Sequence, residues 1–174
     1  QWHVNDWPAS EIGKTFTLVK PLKAKYLRLI AESLGNWPGS SQWFQPGEIT
    51  YDTFEENLLQ VGETILRSTD NILPVMTSNV LPSPYIVSAS SQLAGNVFNA
   101  FDKNSGTYLE TNLTYNATMG VPDDSVQTLV SGVLVSGEWV QIQLPEISTV
   151  TQFSMIGRGG LSNVRMPQSM MLAV

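Results

Sequence analysis

Apolar and polar residues alternate over two neighbouring stretches near the start of the chain, 15–19 and 25–30. Phe16 and Leu18 share one face of the first, and Leu27 and Leu29 share one face of the second. Period-two alternation marks a half-buried strand, so the pattern predicts two strands parted by a turn that contains Pro21. The cleanest case is the strand over 137–144, where Val140, Ile142 and Leu144 face a core while Gln141 and Gln143 face water. Antiparallel sheets with one wet face have this texture. Further short strands are predicted at 85–90 and 149–156, separated by loops rich in Asn, Gly, Ser and Asp. Strands and helices do not follow one another in βαβ order, which excludes a parallel α/β sheet and leaves an all-β fold.

Two segments break the pattern. Residues 36–47 contain WPGSSQWFQPG, whose Gly, Pro and Ser predict a long loop that carries three large aromatics. After it, Asp52 and Glu55 form a capping-box pair, and Phe54, Leu58, Val61 and Ile65 recur at helical spacing. Arg67 suits the C-terminal end of a helix dipole, and Pro74 bars continuation. The spacing predicts one helix over 52–68, docked by a single stripe on a sheet or a partner helix, with Gly62 as its weak point.

Composition narrows the function classes. The 174 residues are enough to bury a sizeable core without metals or disulfides. Absence of cysteine removes thiolate zinc sites and a cysteine nucleophile. A net charge of −6 opposes electrostatic capture of nucleic acid, which needs a basic surface. Neutral glycans need only aromatic faces and a few placed hydrogen bonds, so they remain as ligands. No apolar stretch is long enough for a membrane-spanning helix, and the opening residues do not resemble a signal peptide, so a soluble chain without membrane insertion is expected. The chain begins without Met and inside a patterned region, as a processed product or a piece of something longer would.

Several segments together resemble the discoidin domain, the module of coagulation-factor C domains and of galactose-binding-type carbohydrate-binding modules. SASSQ (88–92), NVFNAFDKNSGTYLET (96–111), GEWVQIQLPEISTVTQFSMIGR (137–158) and the strand over 167–174 resemble its opening. GKTFTLVKPLKAKYLRLIA (13–31) and GEITY (47–51) resemble its closing, so the order is reversed. The resemblance implies an all-β, jelly-roll β-sandwich divided into a closing part (1–50), a helical connector (51–76) and an opening part (77–174). A fragment of two tandem modules, half-modules completed by neighbouring subunits, and one permuted module all fit this order, the first being preferred. The stretch ILPVMTSNVLPSPYIVSASSQ resembles the lead-in to such modules in bacteriophage tail and virion proteins.

The family resemblance also implies a structural calcium ion, held by Asp102, Asn104 and Thr107 in the AFD turn and by Glu48 from the closing strand. Oxygen clusters of this kind suit hard cations. Lys103 stands where the family has Gly and Leu109 where it has Trp, and an ordinary Asx-type turn is the simpler alternative. Glu48 and Asp102 share an ion only if the chain is permuted or its halves meet across subunits. For sugar binding the loop residues Trp37, Trp43, Phe44 and Gln42 are the candidates, with Trp2, Trp7 and His3 behind them. Loop tryptophans also plug sandwich ends and form subunit contacts. Arg28 and Arg158 are read as structural.

Catalysis is not expected. The single histidine, His3, has no triad or metal-ligand spacing around it, and the pairs Glu55–Glu56 and Asp123–Asp124 do not face each other across a cleft as glycoside hydrolysis requires. The sequence therefore predicts a non-catalytic carbohydrate-binding or adhesive module. Its expected setting is extracellular or on a virion surface, with a cell-surface glycan, other virion or assembly proteins and further copies of itself as partners. The competing class is a purely structural assembly module that uses the 52–68 helix for subunit contacts.

Overall fold

The computed structural model describes residues 2–5, 13–34, 44–55, 68–112, 115–116, 120–122, 126–158 and 167–174. In chain order its strands are β1 (Trp2–Asn5), β2 (Gly13–Leu34), β3 (Pro46–Glu55), β4 (Ser68–Asn71), β5 (Ile86–Ala89) and β6 (Ala94–Gly95). A 3-10 turn at Val97–Phe101 precedes β7 (Leu109–Glu110), β8 (Gln127–Val130), β9 (Val133–Ser136), β10 (Glu138–Gly157) and β11 (Pro167–Ala173). One curled antiparallel sheet runs in the order β1-β11-β2-β10-β3-β4, with β5 also paired to β10. The fold is all-β, as the alternation predicts.

The long pair β2 and β10 forms the spine of this sheet. Trp139 lies opposite Ile30, Ile142 opposite Leu27 and Phe153 opposite Phe16. Its register slips twice, between Gln143 and Ser148 and between Val150 and Gln152. The first slip contains Pro145 and the second places Pro21 of β2 outside the ladder, so each proline sits where no ladder hydrogen bond is required of it. The two short strands expected on either side of Pro21 are thus two arms of one bent strand, and so are those on either side of Pro145.

Residues from both ends of the chain meet in this sheet. β3 pairs with the second half of β10, Ile49 opposite Met155, and β11 pairs with β2, Met171 opposite Ile30. Segments 13–55 and 138–173 are therefore neighbours within one chain. The inner face of the sheet buries Leu27, Leu29, Ile142, Phe153 and Met155 against Met76, Phe101, Leu109 and Tyr115 from the 72–115 segment. Phe153 stacks on Phe16 with ring centroids 4.9 Å apart. On the outer face lies the β8–β9 hairpin, whose Val130 and Val135 cover Ile30, Met171 and Ala173 in a second, smaller core. Its turn, Ser131 and Gly132, has φ of 50° and 84°, the two positive values that tight hairpins require.

The helix expected over 52–68 needs correction at both ends. Residues 52–55 belong to β3 and residue 68 to β4, with Asp52 paired to Asn71 and Glu55 to Ser68. Ladder pairing overrides the local helical spacing there. The middle of that expected helix, 56–67, lies outside the described residues. No helix among the described residues is long and apolar enough to cross a membrane.

Candidate functional site

The segment after the buried Phe101 folds into a tight polar turn. One carboxylate oxygen of Asp102 accepts from the Asn104 amide at 2.9 Å, and the other accepts from the Thr107 hydroxyl at 2.7 Å. The Asn104 side-chain oxygen accepts from the Gly106 amide at 3.0 Å, and its carbonyl accepts from the Thr107 amide. These are the Asx-type bonds that short polar side chains make with nearby backbone. Lys103 is held at a φ of 58°, the left-handed region, which explains why glycine suits that position.

Glu48 reaches this turn from β3. Its side chain is buried, and among the described residues neither carboxylate oxygen has a hydrogen-bond partner. Burial pushes its pKa from 4.5 up to about 8, and the negative charge of Asp102 pushes in the same direction. The amides of Lys103 and Asn104 and the Lys103 ammonium draw it back down, although the amides make no bond of ordinary geometry to either oxygen. Strand β3 thus brings Glu48 beside the turn that contains Asp102, Asn104 and Thr107, and the four residues nominated for calcium lie together.

The donor set fits a hard cation in chemistry: two carboxylates with amide, hydroxyl and backbone oxygens around them. The orphaned oxygens of Glu48 are what such an ion would satisfy, because a buried polar atom without a partner is costly. Among the described residues no three His, Cys, Asp or Glu side chains come together, so neutral oxygens would have to complete the shell.

Of the sugar candidates, Trp37, Gln42, Trp43 and the second-choice Trp7 lie outside the described residues. Phe44 is corrected. It is completely buried in the main core and offers no face to a sugar, while its carbonyl accepts from the Thr111 amide at 3.1 Å. Trp2 and His3 lie in β1, opposite Leu172 and Met171. Asp123 and Asp124 are outside the described residues.

The chain that follows the aromatic candidates is fixed by polar contacts. Immediately after Phe44, the buried Gln45 donates its side-chain amide to Glu110, and its carbonyl accepts from the Arg158 amide. The Arg158 guanidinium lies 3.6 Å from the Glu110 carboxylate and 3.7 Å from the centre of the Tyr108 ring. Arg158 is therefore engaged in fixing this corner, as the structural reading of it expected. Only two residues separate Gln45 from Glu48, so one strand start carries both this corner and the carboxylate beside the acidic turn.

Two further polar sites escape sequence reasoning. Glu138, wholly buried, accepts hydrogen bonds from Ser90 and Ser91 of the SASSQ motif, and its amide donates to the Tyr115 hydroxyl, which donates to the Ala31 carbonyl. On the outer face, Arg28 donates from Nε to Gln141 at 2.9 Å and from Nη1 to Thr128 at 2.6 Å, with its guanidinium 4.1 Å from the Trp139 ring centre. The "YLRL" and "WVQI" strands hold these partners, but only the register that sets Arg28 opposite Gln141 joins them.

No family model matches the chain, and no curated protein matches it.

Proposed function

We propose that this chain is a non-catalytic carbohydrate-binding or adhesive module of the discoidin-like kind, serving an extracellular assembly such as a phage tail or virion. The observation that supports this most is the convergence of Glu48 on the 102–107 turn. It joins two segments that the resemblance assigns to the closing and the opening of such a module, and it does so within one chain. A bound calcium ion would be held by Glu48 and Asp102 with oxygens of Asn104 and Thr107, and would neutralise the two carboxylates. Beside it, the Gln45–Glu110–Arg158 corner fixes the chain two residues after Trp43, which with Trp37 is a proposed sugar-stacking residue. An indole face suits the C–H side of a pyranose.

A glycan array tests the proposal, probed with the whole chain in millimolar calcium and again in chelator. Retention of at least one glycan family, weakened by chelator, is expected. Silence across the array in both conditions overturns the reading.

The assembly alternative draws on a separate observation. Leu129, Val133 and Leu134 of the β8–β9 hairpin are each more than 60 % exposed. Apolar side chains grouped on an exposed hairpin suit a protein contact. Light scattering over a concentration series distinguishes this reading, since a monomer at all concentrations would remove the self-association form of it.

A further inference from the structure

Beside the β8–β9 hairpin the outer face of the sheet holds a cavity of about 270 Å³, lined by Tyr26, Arg28, Gln141, Leu129 and Ser131 among others. Tyr26 and Arg28 are two apart on β2, so both side chains stand on the same face. Among the described residues Arg28 has the only charged side chain in the lining, which also includes Val174, the last residue of the chain given. Its Nε and Nη1 are engaged by two neutral acceptors, Gln141 and Thr128, and Trp139 covers one face of the guanidinium. Among the described residues no carboxylate pairs with it, in a chain with 15 Asp and Glu against nine Lys and Arg. Among the described residues no acceptor bonds Nη2, and Nη1 retains a second N–H.

A fork fixed in orientation by three neighbours, with unsatisfied donors toward a cavity, is preorganised for a planar anion. The cavity is slightly below the usual size range of small-molecule sites, which suits one ring and not an oligomer. The remaining lining is a phenol, an amide, a hydroxyl and an aliphatic wall, groups that match the mixed polar and C–H surface of a sugar. We infer that this outer-face cavity binds a single carboxylated sugar residue, such as a hexuronate or a sialic acid, with its carboxylate on the free edge of Arg28. The sugar framework of the ligand rests on the carbohydrate reading above. The carboxylate requirement rests on Arg28 alone.

The test is an NMR titration of the whole chain, following the Arg28 Nε–H signal, with methyl glucuronide, N-acetylneuraminic acid, methyl glucoside and acetate as probes. Saturable shifts with one or both acidic sugars, and none with methyl glucoside, are expected. Arg28→Lys should weaken the binding roughly tenfold or more, because the planar two-point contact is lost. Arg28 also packs on Trp139, so a second pair of variants guards against misfolding. Tyr26→Glu sets a competing carboxylate beside the fork and should abolish the shift, whereas Tyr26→Gln, similar in size and uncharged, should keep it. Acetate binding as tightly as the acidic sugars, equal response to methyl glucoside, or equal loss in the two Tyr26 variants would each overturn the inference. If the array finds a glycan whose binding needs Trp37 or Trp43 while no acidic sugar moves Arg28, the module reading stands and this site falls.

Discussion

Replacing Glu48 by Gln should stabilise the calcium-free protein at alkaline pH, an unusual direction for a buried substitution. A carboxyl whose pKa is raised from 4.5 to about 8 on folding binds more protons in the folded state than in the unfolded state across that interval. Its favourable contribution is complete below pH 4.5 and is lost progressively as the pH rises through about 8. At about 1.4 kcal/mol per pH unit, ionising Glu48 in the folded chain costs at most about 5 kcal/mol, and water reaching the turn reduces this to roughly 2–3 kcal/mol. Glutamine has nearly the same shape and no charge to bury. In chelator at about pH 9, thermal unfolding of Glu48→Gln should therefore lie roughly 4–12 °C above wild type, with little difference at about pH 4. Calcium should then raise the wild-type midpoint by binding the ionised carboxylate, and leave the variant unmoved. A variant less stable than wild type at alkaline pH, or equally stabilised at both pH values, would refute the reasoning.

Three further outcomes follow from the packing. Tyr115→Phe removes the hydroxyl that bridges the Ala31 carbonyl and the Glu138 amide, leaving both unpaired, and should cost about 1–3 kcal/mol in urea unfolding. Phe44→Ala empties a core position that sequence reasoning assigned to sugar contact. It should lower stability by about 3–5 kcal/mol in the same assay. Gly137, between β9 and β10, has a φ of 142°, and a methyl group there would sit 2.3 Å from the Ala31 carbonyl oxygen. Gly137→Ala should reduce the yield of folded protein, read from the dispersion of its NMR spectrum.

Much of the sheet is legible in the chain, because a wet face and a dry face impose alternation directly. Val140, Ile142 and Leu144 are buried as their spacing predicts. Prolines 21 and 145 mark real interruptions, though each interrupts a strand without ending it. The 52–55 segment is misread because Phe54, Leu58, Val61 and Ile65 satisfy a helical period that is local, while pairing with 68–71 is not. At the site, the Asp102 turn could be found from its spacing, since all its bonds lie within five residues. Its neighbour Glu48 is signalled only by the resemblance, and its burial depends on how β3 lies against that turn. Phe44 looks like its loop neighbours in sequence, and only the structure separates a core anchor from a surface ring. Arg28 and Gln141 are 113 residues apart, so the cavity they share carries no local signature.

The glycan-binding claim is tested most directly by array binding of the wild-type chain beside Trp37→Ala and Trp43→Ala, after all three show the same thermal midpoint. The account predicts retention of at least one glycan family by wild type and loss of that signal in one or both variants. Wild-type silence on every glycan, or binding of neutral glycans that survives both substitutions unchanged, would contradict it.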